Sequence, residues 1–312
     1  MMSDDTHITL AVPFRVPFYA PFYAAVALGT YARHGLEVSL DIVGSGQAVV
    51  DALRSGTADA GWGGPARVMQ EQERDADSDA SLRSFCSVVR RDPFLLLGRH
   101  PRPDFRLQDL RDLRLGSVSE VPAPWCCLQE DLRRLGVDPD QVARVTTNTM
   151  AQNADALVSG AIDVAQLFEP YAAVLESHHA CAVWAAAADG GDTAYTTFIA
   201  TTGQIAQRRQ ALIKLCRGMS DALGWIDANG PDALVDAVAA HYGDIEPTIL
   251  RRALERYFRL GIWSTSIHIS PESFNRLGQA LLSAGELKAM PQYKACVDAT
   301  LADDALATLP RL

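Results

Sequence analysis

The chain has 312 residues, enough for two hydrophobic cores, and its formal net charge is −10, from 28 basic and 38 acidic side chains. That balance, with arginines scattered instead of gathered in a stripe, argues against a nucleic-acid partner, and no apolar run reaches membrane-spanning length. Lys214, Lys288 and Lys294 are the only lysines, so the first two-thirds of the chain offers none for a Schiff base.

Met1 to Thr6 is polar and acidic. Ile8 to Val12 reads as a short buried strand, and a Pro/aromatic loop from Pro13 to Pro21 follows it. The apolar segment Val16 to Leu28 is broken by two prolines and has no basic leader, so it does not read as a signal peptide. A helix is expected from Phe22 to Arg33, with a stop at His34-Gly35, then a strand from Leu36 to Val43. Asp51 to Ala60 (DALRSGTADA) closes a helix, stops it at Gly56 and opens a third strand. Strands at Ser84 to Val89 and Phe94 to Gly98 precede a surface linker, Arg99 to Asp104.

The pattern then repeats. Leu107 to Leu113 is a short helix and Leu113 to Val118 a strand. Ser119 to Pro124 forms a loop, Trp125 to Leu135 a helix, and Val142 to Thr146 a strand. Asp155 to Val164 (DALVSGAIDV) echoes the first-half unit about one hundred residues later. Strands follow at Asp163 to Phe168, Cys181 to Ala187 and Ala194 to Thr201, with a helix starting at Phe168 to Tyr171 between the first two. The remainder is helical: Gln204 to Ala228, Asp232 to His241, Glu246 to Tyr257, Pro271 to Ala284 and a helix within Tyr293 to Leu306, with Trp263 to Ile269 extended or irregular. Two β–loop–α–β–α–β half-units imply an α/β fold of two lobes with mostly parallel sheets. Lobe I is expected over 1–99 and 195–312, lobe II over 100–194, with crossovers near Phe94 to Asp104 and Ala187 to Thr197.

Ligands of such lobes meet the carboxyl ends of strands and the starts of the helices behind them. That rule selects Arg15, Phe18, Tyr19, Gly44, Ser45, Gly46, Gly63 and Gly64 from lobe I, and Ser119, Glu120, Trp125, Gln166 and Glu169 from lobe II, with Tyr195 near the returning crossover. Phe18 or Tyr19 suits stacking on a flat ligand. Arg15 suits a carboxylate, sulfonate or phosphate, or a salt bridge within the protein. Gly44-Ser45-Gly46 offers N–H groups and a hydroxyl to an oxygen, or simply caps a helix. Glu120, Gln166 and Glu169 suit the donors of a nitrogenous heterocycle, or cap their own helices.

The six cysteines form no disulfide ladder or zinc spacing, and unpaired thiols suit a reducing compartment. No metal site and no cofactor is expected, since none of the seven histidines belongs to a ligand pattern. Cys126 or Cys127 at a helix start is the one nucleophile candidate, against a reading as small packed side chains.

The order and spacing of Pro17-Phe18-Tyr19, Ala27-Leu28-Gly29, His34-Gly35-Leu36-Glu37-Val38, Gly44-Ser45-Gly46, Ala52 to Gly61 and Leu110 to Gly116 resemble the type II periplasmic solute-binding proteins for nitrate, sulfonates, taurine and thiamine-pyrimidine precursors. The resemblance spans essentially the whole chain. It implies a two-lobed type II binding fold with an interlobe cleft, capture of a small solute without turnover, and an ABC transporter permease as partner if the chain is exported. A nitrogenous aromatic or pyrimidine-like ligand is the first expectation, a sulfonate or carboxylate the second. The same branch includes the fungal enzyme that makes the thiamine pyrimidine, so a cytoplasmic enzyme on this fold, either synthase-like or a cysteine-dependent desulfinase or hydrolase, is the alternative. Trp62-Gly63-Gly64-Pro65 lies where the synthase's lysine and histidine signature belongs and has neither, and Cys126-Cys127 matches its cysteine-rich run only faintly. The expected location is cytoplasmic for a full-length chain and periplasmic if an export segment has been removed, and the expected state is a monomer or weak homodimer.

Overall fold

The computed structural model describes residues 5–74 and 78–307, so the first four residues of the polar start lie outside it. In chain order the elements are β1 (His7–Val12), α1 (Ala20–Ala27), α2 (Thr30–Arg33), β2 (Glu37–Ile42), α3 (Gly46–Ser55), β3 (Ala60–Gly63), α4 (Pro65–Arg74), β4 (Leu82–Val89) and β5 (Leu95–Gly98). There follow β6 (Arg114–Gly116), α5 (Ala123–Arg134), β7 (Ala143–Val145), α6 (Met150–Ser159), β8 (Val164–Leu167), α7 (Tyr171–Ser177), β9 (Ala182–Ala186) and β10 (Thr196–Thr201). The helices α8 (Thr202–Gln207), α9 (Arg209–Val238), α10 (Pro247–Leu260), α11 (Pro271–Ser283), α12 (Tyr293–Cys296) and α13 (Thr300–Ala307) complete the chain.

These strands form two sheets of five, ordered β2-β1-β3-β10-β4 and β7-β6-β8-β5-β9. The two orders correspond strand for strand, and the repeated decapeptides occupy the same place in each, at the end of α3 leading to β3 and the end of α6 leading to β8. The sequence dictates this directly. Ser45 and Thr149 cap the two helices, and Gly56 and Gly160 end them with φ of 74° and 80°, a left-handed conformation that glycine adopts without a Cβ penalty. The aspartate after each glycine then clamps its lobe's first strand: Asp59 Oδ2 accepts from the Thr9 N–H and Asp163 Oδ2 from the Arg114 N–H, both at 2.8 Å.

Two expectations are corrected. The sheets are mixed, because β10 runs antiparallel to β3 and β4, and β5 antiparallel to β8 and β9. Each is the first strand the chain forms on arriving from the other sheet, and it runs against its neighbours. Leu95–Gly98, expected on the first-lobe side of residue 99, belongs to the second sheet by this pairing, and the chain first crosses at residues 90–94. It crosses back at residues 187–195. A third strand-like segment runs beside them: Ile262 O accepts from the Arg90 N–H, and Val89 bridges Trp263.

The first sheet is packed on one face by α1 and α9 through Phe22, Phe198, Leu212 and Met219, and on the other by α3, α4 and α11. The smaller second sheet buries Leu97, Leu157 and Leu167 on one face and Leu96, Leu115 and Leu132 on the other. The two expected helices on either side of Gly230-Pro231 are present, with Gly230 at φ 78° breaking α9 between them. Among the described residues no helix is long and apolar enough to cross a membrane.

Candidate functional site

The loop behind β1 meets the loop behind β8 where the two sheets adjoin, through Phe18 and Phe168. Prolines 13, 17 and 21 hold the first of these loops in a turn, so Phe18 and Tyr19 point inward and are 3% and 5% exposed. Phe18 contacts Phe168 of the second lobe at 5.6 Å between ring centroids and Tyr195 of the returning crossover at 6.1 Å, both edge to face. These rings are packed into the core where the two sheets adjoin and are closed to a ligand in this conformation. The Tyr19 hydroxyl bonds Thr196, and burial raises its pKa.

The other lobe-I candidates divide. Gly44 has φ 89°, and the Ser45 hydroxyl accepts from the Ala48 N–H at 3.1 Å, so this side chain caps α3 while the turn itself remains exposed. A Cβ on Gly46 would stand 3.5 Å from Arg67 Nε, which puts a guanidinium beside the turn. Gly63 and Gly64 are half-buried, with Gly64 closely approached by the Tyr195 carbonyl. Arg15 does not point at an open anion site: its guanidinium bonds Asp244 at 2.8 Å, drawn to the acidic turn before α10.

In lobe II, Ser119 donates to Asn148 O at 2.7 Å, and Glu120 Oε1 accepts from the Met150 N–H at 2.8 Å, so these two exposed side chains join the β6 loop to the start of α6. Gln166 is buried at 2% exposure and turned towards α5, donating to Pro124 O at 2.9 Å. Glu169 is fully buried. It binds Arg256 Nη1 at 2.8 Å and accepts from the Ala173 N–H at 2.8 Å. Burial raises its pKa and Arg256 opposes the rise. Gln166 and Glu169 thus serve the fold in this conformation and do not present polar groups to a ligand, because their strand-end positions lie beneath helices that claim them first.

A recess of about 670 Å³ opens at the lobe-II rim, lined by Ser117, Ser119, Trp125, Gln129 and Arg144, with Glu286 from the turn after α11. Arg144 was not foreseen. Its guanidinium carbon sits 3.8 Å from the Trp125 ring centroid, and it has no ion-pair partner among the described residues. Desolvation lowers its pKa, with Asp140 opposing. It lies in the middle of the strand expected over Val142 to Thr146, so the strand-end rule passed over it. Arg256 also escaped notice, although a basic residue flanked by the buried Ala253, Leu254 and Tyr257 of α10 implies a buried carboxylate partner.

Cys126 and Cys127 are 2% and 6% exposed. Burial pushes the Cys126 thiol up to about 12 and Cys127 well above its ordinary value, the opposite of a stabilised thiolate. All six cysteines are free and buried, so their survival unpaired needs no reducing compartment. Among the described residues no group of three metal-ligating side chains occurs.

The chain is 22% identical over 281 residues to the Bacillus subtilis "Putative binding protein YtlA", covering 89% of this chain and 84% of that one. Its fold matches the alkanesulfonate-binding protein SsuA from Xanthomonas axonopodis pv. citri bound to MOPS, with a TM-score of 0.69 at 14% identity, covering 94% of this chain and 98% of that one. It also matches the desulfurization enzyme DSZB, with a TM-score of 0.67 at 15% identity over 96% and 99% of the two chains. These structural likenesses establish a periplasmic-binding-protein fold, one that serves both binding proteins and an enzyme. The model of the NMT1/THI5-like family matches residues 16–233, well over half of the sequence, and the chain belongs to that family.

Proposed function

We propose that this protein captures a small organic anion in the interlobe cleft and releases it unchanged, as the binding component of an ABC-type importer. The observation that carries the reading is the recess of lobe II, where the Arg144 guanidinium sits over the Trp125 ring with no ion-pair partner among the described residues. A fixed guanidinium beside an aromatic face suits a sulfonate or carboxylate on an apolar body. The ligand class shifts accordingly from the nitrogenous heterocycle first expected. Glu169, one of the three groups meant to receive its donors, is committed to Arg256, and the Gln166 amide oxygen is buried out of reach. The sulfonate-binding neighbour supports the same direction. In this role the protein would work outside the cytoplasmic membrane and dock a permease. Turnover by a cysteine is disfavoured by the raised Cys126 and Cys127 pKa values.

Titration with 2-phenylethanesulfonate and the neutral 2-phenylethanol tests this. The sulfonate should bind, and Arg144→Gln should weaken it by about tenfold or more while leaving the alcohol unchanged, since only the charge-assisted contact is lost. Absence of binding across alkyl and aryl sulfonates and carboxylates would overturn the ligand class. Release of sulfite from an aryl sulfinate, lost in Cys126→Ala or Cys127→Ala, would replace capture by catalysis.

A further inference from the structure

Helix α11, packed on the first sheet, grips α5 of the second lobe through polar side chains. Arg276 binds Asp131 at 2.9 Å, Ser283 donates to Glu130 Oε2 at 2.9 Å, and Arg133 donates to Ser283 Oγ at 3.1 Å. The Arg276–Asp131 pair lies against Gly190 of the second crossover, where a Cβ would stand 2.5 Å from Arg276 Nη2 and 3.1 Å from Asp131 Oδ2.

Asp92 of the first crossover is buried at the same junction. The groups that face it are Asp131 and Cys127, one turn apart on α5, Arg276 on α11, Tyr195 on the second crossover and Tyr257 on α10. Its chain neighbours Arg90 and Arg91 are held by the Gly261 and Leu260 carbonyls and by Asp192. Arg276, the one cation in the facing set, is already bound to Asp131. Asp92 Oδ1 accepts from the Phe94 N–H, and Oδ2 has no partner among the described residues. An ionised carboxylate here has neither water nor a counter-charge of its own, so burial raises its pKa to about 7. Its cover comes from helices of both lobes. Parting α5 from α11 therefore admits water to Asp92 while each sheet stays whole.

We propose that Asp92 is a proton-operated switch on the hinge: its neutral carboxyl permits the joined lobes of this structure, and its ionised carboxyl favours the parting of α5 from α11. The joined form keeps a proton that the hydrated, parted form releases near the ordinary value of about 4. Joining is therefore most favoured below that value. Its advantage falls about tenfold per pH unit up to about 7, roughly a thousandfold in all. The switch depends on the hinge and not on which ligand the protein takes.

Small-angle X-ray scattering of the full, ligand-free chain, with far-UV circular dichroism alongside, tests this from about pH 4 to pH 8 at constant salt. The radius of gyration should rise with pH while the helical signal holds, and Asp92→Asn should stay compact throughout. Asp92→Ser, which keeps an acceptor for the Phe94 N–H and cannot ionise, serves if the first variant does not fold. A constant radius in the unmodified protein, the same rise in a folded variant, or a rise accompanied by loss of helix would each overturn the switch.

Discussion

Asp92 stands on the first crossover, 1% exposed, with Oδ1 accepting from the Phe94 N–H at 2.8 Å and Oδ2 without a partner among the described residues. Burial raises its carboxyl to about 7, opposed by the Phe94 bond and by Arg276 and reinforced by Asp131. Between its ordinary value near 4 and about 7, the folded protein holds a proton that the unfolded chain has released. The stability tied to this group is therefore complete below the unfolded value and is lost as pH rises towards 7, by up to about 4 kcal/mol. Asp92→Asn mimics the neutral form. Urea midpoints should show the variant increasingly more stable than the unmodified protein from pH 4 to pH 8, and a difference independent of pH would mean that Asp92 is ionised throughout. Nothing in the sequence around Asp92-Pro93 announced this group, because its environment is supplied by Asp131 and Arg276, distant in the chain.

Helices α10 and α11 tie the lobes together. Arg256 on α10 grips Glu169 and also Glu176 of α7, while Tyr257 Oη accepts from the Glu169 N–H at 2.9 Å. On the other flank Arg276 of α11 grips Asp131 of α5 at 2.9 Å. Removing one partner of a buried pair strands the other, so Arg256→Met should cost about 3–5 kcal/mol in chemical denaturation, against a smaller loss for Glu169→Gln. Neither should change sulfonate affinity by more than the loss of folded protein explains. An affinity loss in a fully folded Glu169→Gln would return Glu169 to the ligand site. At this scale the sequence was readable where structure is local. The glycine-stopped units, their caps and the Pro/aromatic turn emerged as written, because their determinants lie within a few residues. The direction in which the Glu169 and Gln166 side chains turn was not readable, since Arg256 lies 87 residues from Glu169. Nor could Leu95-Leu96-Leu97-Gly98 declare its sheet, because an apolar run fits either one and its partners lie at 164–167 and 182–186.

Across the whole molecule the two sheets differ in how their strands are spread along the chain. Sheet β7-β6-β8-β5-β9 uses only residues 95–186, whereas β10 (Thr196–Thr201) is an inner strand wedged between β3 and β4 of the other sheet. A chain leaving the ribosome can thus complete the second lobe's sheet while the first still has a gap between β3 and β4. Hydrogen exchange on a chain ending at residue 191 should find β5, β6 and β8 amides protected and those of β3 exchanging freely; protection of β3 in that fragment would overturn this order. The missing wedge also has a cost during synthesis. Until residue 201 is made, the facing edges of β3 and β4 present unpaired N–H and C=O groups, a template for pairing with other chains. Chains interrupted between the lobes should therefore aggregate through the first lobe, the part made earliest and finished last.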